Sequence, residues 1–335
     1  MSEIHGWMTS AAGAPLKLTT LDAGPLAADD VEVAVTYCGV CHSDLSMVRN
    51  EWHNARYPLL PGHEVIGTVS ALGANAKGLR IGQAVGIGWT AESCMHCQRC
   101  LSGNQVLCDQ AVPTIVGHHG GFADKVRAHW AWTIPLPEGI DQASAGPLLC
   151  GGMTVFKPLL EYRVLPTARV GVVGIGGLGH LAVKFAAAWG CEVTAFTSNP
   201  GKVDEAWGFG AHHVVASGDA KALHAVAGSL DLLIVTVNAA MDWNALLQTL
   251  DKRGRMHVVG VVPEPIPVPA FALIGGQRDV SGSPTGSPVD LAQMLAFAAR
   301  HDVRPQVEHF PMAEVNAALA HLQAGKARYR IVLDA

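Results

Sequence analysis

Over roughly the first 150 residues, apolar side chains recur at every second position in short runs. DDVEVAVTYCGV (29–40) and GHEVIGTVSALG (62–73) are the clearest cases. That period turns one face of an extended chain toward a core and the other toward water, so these runs predict strands, with glycine-rich turns between them. Near residue 168 the rhythm changes. ARVGVVGIGGLGHLAVKFAAAWG reads as a buried strand, a glycine turn and an alanine-rich helix. CEVTAFTSN, AHHVVAS, LDLLIVTVN and GRMHVVGVV supply further strands, separated by helical segments. Strand and helix in alternation predict a parallel sheet with helices on both faces. PVDLAQMLAFAARHDVRP and MAEVNAALAHLQAGKARYRIVL then predict two helices and a closing strand. PIPVPAFALIGG (265–276) reads as an exposed edge strand able to pair with another subunit.

The pattern therefore predicts an α/β protein: a β-rich domain over 1–149, a doubly wound parallel-sheet domain over 150–288, and a segment over 289–335 returning to the first domain. A length of 335 residues agrees, because one hydrophobic core seldom grows that large. Composition narrows the class. The chain is 49% hydrophobic and 15% charged, with 37 Gly and 19 Pro, which is a turn-rich folded protein. A net charge of −5 argues against a nucleic-acid partner and leaves a small molecule as the expected one. The start, MSEIHGWMTS, has no apolar signal core, and the apolar stretch from Val170 to Trp189 is broken by glycines, His180 and Lys184. A cytoplasmic protein without membrane contact is the expectation.

Eight cysteines are present, and Cys94, Cys97, Cys100 and Cys108 follow the spacing C-x2-C-x2-C-x7-C. Four thiolates on short turns can wrap one ion tetrahedrally and leave no place for substrate, so a structural metal site is expected rather than four free surface thiols. Zinc is expected; a four-cysteine iron–sulfur cluster uses the same donors. His96, inside the loop, is a spare ligand.

A second set of donors is scattered: Cys38, Cys41, His42, Asp44, His63, Glu64 and Cys150. A catalytic zinc needs three protein ligands and one open position, and Cys41, His63 and Cys150 would supply two thiolates and an imidazole. Taken alone, each reads more readily as an ordinary buried residue, and only their neighbours point to a ligand. Glu64 could support the site or ligate transiently, Asp44 could orient a ligating histidine, and Ser43 offers a hydroxyl for proton transfer.

VGVVGIGGLGH places Gly174, Gly176 and Gly179 in G-x-G-x-x-G, between an apolar strand and a helix. These glycines permit the turn, the approach of a pyrophosphate and tight helix–strand packing. The loop includes Ile175, Gly177 and Leu178. An NAD enzyme would carry an acidic residue at the end of the next strand; CEVTAFTSNPGK has none. Thr197, Ser198 and Asn199 could donate to a 2′-phosphate and Lys202 could neutralise it, so NADP(H) is the expected cofactor.

GVCHSD, PGHEVIG, the four-cysteine lobe, PLLCGGMTVFKPL and GIGGLGH occur in the order found in zinc-containing medium-chain alcohol dehydrogenases. The chain resembles that family over essentially its full length. PLLCGG and the TSN turn look most like the cinnamyl-alcohol-dehydrogenase branch, and NEW, GIGWTAESC and GKARYRIVL are similar to its bacterial NADPH-dependent broad-specificity aldehyde reductases. The resemblance implies a GroES-like catalytic domain, a Rossmann cofactor domain and an active site in the cleft between them. It implies two zinc ions per chain: a catalytic one on Cys41, His63 and Cys150 with Glu64 as an alternating ligand, and a structural one on the lobe. It also implies that Ser43 relays a proton, that Thr154, Thr236, Gly260, Ser283, Pro284 and Thr285 meet the cofactor, and that the enzyme is a homodimer. Ser46 stands where plant members carry a relay histidine, so proton exit would run differently, with His42 as the candidate. Trp52 and Trp89 are expected to wall an apolar substrate pocket, with His118, His119 and Pro284 near it. The expected function is reversible hydride transfer between NADP(H) and a broad range of aldehydes and primary alcohols. Two alternatives remain: an NAD-dependent polyol or formaldehyde dehydrogenase on the same fold, and a zinc-ribbon module that senses a dinucleotide without catalysis.

Overall fold

The computed structural model describes residues 3–335; Met1 and Ser2, which open the first expected domain, lie outside the described residues. The chain divides into two units, residues up to Met153 together with Thr285–Ala335, and Thr154–Pro284. The first division falls inside the helix Gly151–Glu161 and the second between the last strand of the insert and the helix that begins at Pro288; the sequence reading put them at 149/150 and 288/289.

The first unit begins with an antiparallel pair, β1 (Glu3–Met8) and β2 (Lys17–Asp22). β3 (Asp30–Val40) follows, then helix α1 (His42–Arg49) and strand β4 (Val65–Leu72). β5 (Ala84–Ile87), β6 (Thr90–Glu92), the one-turn α2 (Gln98–Leu101) and β7 (Val112–Pro113) come next. β8 (Lys125–His129), β9 (Ile134–Pro135), the short α3 (Gln142–Ala145) and α4 (Gly151–Glu161) complete this stretch. The alternation seen in 29–40 is real: Val31, Val33 and Val35 point inward, packing with Val65, Val85, Phe122 and Val126 in one core.

The second unit is a six-stranded sheet of β10 (Arg169–Val173), β11 (Glu192–Thr197), β12 (His213–Ala216), β13 (Leu230–Val235), β14 (Leu250–Val258) and β15 (Asp279–Gly282). Every pairing is parallel and the order is β12-β11-β10-β13-β14-β15. The sheet thus reverses direction at β10, the switch point at which doubly wound sheets bind ligands. Helices α5 (Gly179–Trp189), α6 (Val203–Gly208), α7 (Ala220–Ala225), α8 (Trp243–Thr249) and α9 (Ala270–Ile274) connect the strands. The central strands β10, β11 and β13 are buried on both faces, which explains their near-continuous apolar runs.

PIPVPAFALIGG is not a strand. Residues 265–269 run without regular structure into α9, and the edge of the sheet is β15. Pro265, Pro267 and Pro269 remove the backbone donors that a ladder needs, which overrides the apolar pattern.

The chain then returns to the first unit through α10 (Pro288–His301), β16 (Val307–Pro311), α11 (Val315–Gln323) and β17 (Arg330–Asp334). β17 lies between β16 and β3, parallel to the first and antiparallel to the second. Among the described residues no helix is long and apolar enough to cross a membrane.

Candidate metal centres and nucleotide site

Three segments bring the scattered donors together. Cys41 is the N-cap of α1, His63 stands in the turn before β4, and Cys150 immediately precedes α4. The Cys41 and Cys150 sulfurs are 4.0 Å apart, and His63 Nε2 lies 3.3 Å from Cys150 Sγ. All three are buried. Metal–donor bonds of about 2.3 Å to sulfur and 2.0 Å to nitrogen put tetrahedral donors about 3.5–3.8 Å apart, so the cluster has the size of a zinc site.

Asp44 organises these groups from behind. Its Oδ1 accepts from Gly62 N and contacts His63 Nδ1, both at 2.9 Å, and its Oδ2 accepts from Cys41 N at 3.0 Å. The carboxylate therefore takes the outer nitrogen of the imidazole and presents Nε2 to the two sulfurs, the usual arrangement behind a metal-bound histidine. The Cys41 thiol is held well below its ordinary range, first by the hydrogen bond from Cys150 and also by Arg330 and His63, against the effect of burial.

Glu64 completes the cluster; its carboxylate, Cys41, His63 and Cys150 offer donor atoms within 4.8 Å of one another. One oxygen is paired with Arg330, while Oε2 is buried with no hydrogen-bond partner. Burial pushes the carboxyl up to about 7, against the pull of Arg330. A buried carboxylate oxygen left unanswered beside two sulfurs and an imidazole is what a cation would satisfy. Gly39 makes room for it: a Cβ there would stand 2.0 Å from Oε2.

Around this centre, Ser43 is half-buried with Oγ 3.7 Å from Cys41 Sγ. His42 is exposed. Ser46 is buried, and its hydroxyl donates to Glu51 at 2.7 Å. Trp89 packs edge-on against the His63 ring, 5.0 Å between centroids, and Trp52 packs on Trp89 at 6.0 Å. Both tryptophans are half-buried against Met47, Val48, Leu59 and Ile115. His118 shares this neighbourhood, its Nδ1 on the Thr114 carbonyl, while His119 is exposed.

In the lobe, the sulfurs of Cys94 and Cys108 are 3.6 Å apart, Cys97 and Cys108 3.8 Å, and Cys94 and Cys100 3.9 Å. A tetrahedron with bonds of about 2.3 Å has edges of about 3.8 Å, so four sulfurs fit one zinc. Backbone N–H groups of Cys97 and Gln110 point at Cys94 and Cys108. The Cys94 thiol is drawn down to about 6, first by the backbone of His96 and against burial. His96 itself is turned onto the Cys94 carbonyl, 2.6 Å away, rather than toward the sulfurs. All eight cysteines are free of disulfides.

The second unit carries a cavity of about 480 Å³ at the carboxyl ends of β10, β11 and β13. Gly174, Ile175, Gly176, Thr197, Ser198, Asn199 and Lys202 line it. Ser217, Gly218, Ala220, Leu223, Val237, Ala240, Met241 and Asp242 line it too; sequence reasoning missed these because no motif marks the ends of β12 and β13.

The glycines divide by role. A Cβ on Gly179, the first residue of α5, would lie 1.7 Å from the Gly174 carbonyl oxygen, so this glycine serves packing. A Cβ on Gly176 would meet nothing within 4 Å. Packing does not require that glycine; an approaching ligand does, at the N-terminus of α5 where phosphate charge is favoured. Gly177 and Leu178 form the turn into α5. Lys202 Nζ donates to the Ile175 carbonyl at 2.6 Å, which ties the turn after β11 to the glycine loop.

The remaining expected contacts are placed as follows. Thr154 is buried. The Thr236 hydroxyl donates to the carbonyls of Val173 and Gly174 at 2.9 and 3.0 Å, bracing the loop. Gly260 passes so near the end of β13 that a Cβ would stand 2.0 Å from the Val237 oxygen. Ser283 follows β15 with its hydroxyl 3.0 Å from His257 Nε2, Pro284 is exposed, and Thr285 is half-buried.

A doubly wound sheet with a phosphate-ready turn, together with a buried cysteine–histidine cluster of zinc dimensions, defines a zinc-type nicotinamide dehydrogenase. Residues 27–138 match the alcohol dehydrogenase GroES-like domain, and residues 177–300 match the zinc-binding dehydrogenases. The chain belongs to the zinc-dependent alcohol dehydrogenases, in the cinnamyl-alcohol-dehydrogenase-like branch. It is 52% identical to aldehyde reductase AdhA of Synechocystis sp. over 331 residues, covering 99% of this chain and 98% of that one. A cinnamyl alcohol dehydrogenase from Sorghum bicolor superposes with a TM-score of 0.95 at 39% identity, covering 99% and 98% of the two chains. The Helicobacter pylori cinnamyl alcohol dehydrogenase, solved in complex with NADP(H), gives a TM-score of 0.90 at 29% identity, with 99% and 98% covered.

Proposed function

We propose that this chain is an NADP(H)-linked aldehyde reductase and alcohol dehydrogenase of broad specificity that holds two zinc ions. The observation that carries this reading is the convergence of Cys41, His63 and Cys150, from sequence separations of up to 109 residues, with Asp44 turning the imidazole toward the sulfurs. Cys41, His63 and Cys150 would hold one zinc, with Glu64 beside it, and Cys94, Cys97, Cys100 and Cys108 the other. When bound, the first zinc supplies Lewis acidity toward a substrate oxygen. The chain's own groups do the rest. Asp44 fixes the tautomer of His63, Ser43 passes the proton that the alcohol gains or loses, and Trp52 and Trp89 offer an apolar wall to aliphatic or aromatic groups. Selectivity is broad, because extra methylenes in such a pocket are discriminated only weakly.

The preference for NADP(H) rests on the end of β11. Thr197, Ser198 and Asn199 stand where a carboxylate would repel a 2′-phosphate, and Lys202 lines the same cavity. The H. pylori relative bound to NADP(H) agrees with this choice. A homodimer is supported by β15, which ends its sheet among the described residues, and by Phe271 and Ile274, exposed on α9. The eight reduced cysteines suit a cytoplasmic enzyme.

The test has two arms. Cys41→Ala and His63→Ala should abolish aldehyde reduction while NADPH still binds; retained turnover refutes the zinc assignment. Replacing Ser198 and Lys202 together by Ala should raise the KM for NADPH more than that for NADH. An unchanged ratio removes the basis for NADP(H) and favours an NAD-dependent polyol or formaldehyde dehydrogenase. One zinc per chain rather than two would return the zinc-ribbon reading.

A further inference from the structure

One buried titratable group lies outside everything assigned so far. His257, near the end of β14, is fully buried, and all three of its polar contacts are hydroxyls. Nδ1 lies 3.0 Å from Ser281 Oγ on β15 and 3.3 Å from the Tyr162 hydroxyl just after α4. Nε2 lies 3.0 Å from Ser283 Oγ. The Arg255 guanidinium sits 3.8 Å over the Tyr162 ring and pins it.

Burial, helped by Arg255 and Lys157, pushes the ring's pKa down to about 4, so it is neutral. A neutral imidazole has one donor and one acceptor. With two hydroxyls crowding Nδ1, that nitrogen accepts and Nε2–H donates to Ser283. The Ser283 oxygen is then occupied as an acceptor, and its own proton is left to donate elsewhere.

Where it donates follows from the sheet. The glycine loop and the cavity serve the half built on β10, β11 and β12, which suits the adenosine end of a dinucleotide. The other half of a doubly wound sheet takes the other nucleotide, at the carboxyl ends of the remaining strands. Ser283 stands at that end of β15. We infer that His257 is a positioning residue for the nicotinamide half of the cofactor: it fixes the Ser283 hydroxyl as a donor toward the carboxamide oxygen. The inference rests on the cofactor reading above.

The amide nitrogen of Gln can replace His Nε2, whereas that of Asn can replace only Nδ1, so the two substitutions separate the contacts. NADPH and 2′,5′-ADP, which lacks the nicotinamide half, would be titrated by fluorescence against the parent, His257→Asn, His257→Gln, Ser283→Ala and the double variant H257N/S283A. His257→Asn should weaken NADPH about tenfold, the scale of one well-placed hydrogen bond, and leave 2′,5′-ADP unchanged. His257→Gln should recover most of the loss, and the double variant should bind no worse than Ser283→Ala. Parental NADPH affinity in His257→Asn overturns the inference, as do additive losses or an equal fall for both ligands. A parent that binds neither ligand overturns the cofactor reading instead.

Discussion

Gly176 and Gly179 stand three residues apart in one motif, yet the structure gives them opposite obligations. Gly176 has an ordinary backbone conformation, and an added Cβ meets no atom within 4 Å. Gly176→Ala should therefore leave stability unchanged or raise it by up to about 1 kcal/mol through the unfolded state, a shift of at most about 2–4 °C in Tm. The same methyl projects toward the cavity, where the pyrophosphate is expected. An overpacked contact costs about 1–3 kcal/mol, so the NADPH Kd should rise roughly 5- to 150-fold. Gly179→Ala reverses the pattern. Its Cβ would lie 1.7 Å from the Gly174 oxygen and 2.8 Å from the Gly174 carbonyl carbon, both backbone atoms, so the turn must open. That should destabilise the unit by about 3 kcal/mol or more. Calorimetric titration with NADPH and thermal melts on both variants decide the matter. A Gly176→Ala protein with parental affinity would refute the placement of the phosphates, and a Gly179→Ala protein with parental Tm would refute the packing argument.

Three further outcomes are expected. Cys94→Ser should lower zinc by mass spectrometry from about two to about one per chain and speed amide exchange over residues 94–108, since three thiolates no longer close the tetrahedron; unchanged metal content contradicts the structural site. Ser43→Ala should lower kcat by roughly 10²- to 10⁴-fold with NADPH affinity retained, and a fall in affinity alone would remove Ser43 from proton transfer. His257 is depressed to about 4 in the folded chain from an ordinary 6.5, so its contribution to stability is complete above about 6.5 and is lost as pH falls toward 4. The loss amounts to about 3 kcal/mol. Urea denaturation of the parent from pH 7 to 4.5 should show a slope that flattens in His257→Gln; equal slopes would mean that the imidazole is not desolvated.

Legibility in the sequence followed the distance over which each feature is built. The lobe is local: four cysteines within one loop reach tetrahedral separations, and spacing alone announces them. The glycine loop is also local, bounded by its own strand and helix. The second metal cluster is not, because His63 and Cys150 are 87 residues apart and meet only through the fold. There the family resemblance supplied what spacing could not. Arg330, which pairs with Glu64, lies 266 residues away; it sits inside GKARYRIVL, yet nothing in that run marks it as the carboxylate's partner. His257 escaped for another reason: within GRMHVVGVV it looks like one polar interruption in a strand, and its meaning comes from Tyr162, Ser281 and Ser283 on other elements. The misread edge at 265–276 shows the limit of hydrophobic pattern, since the alternating residues are apolar while three prolines deny the backbone a ladder.

The placement of β17 has a bearing on how the protein is made. Ile331, Val332 and Leu333 are fully buried between β16 and β3, so the Tyr37–Val40 edge of β3, just before Cys41, lacks its partner until β17 has been made. Residues 154–284, by contrast, contain every strand of their own sheet. The insert can therefore close on the ribosome while its host waits, inverting the usual N-terminal-first order of domain folding. Chaperones that shield exposed strands would serve the host and not the insert.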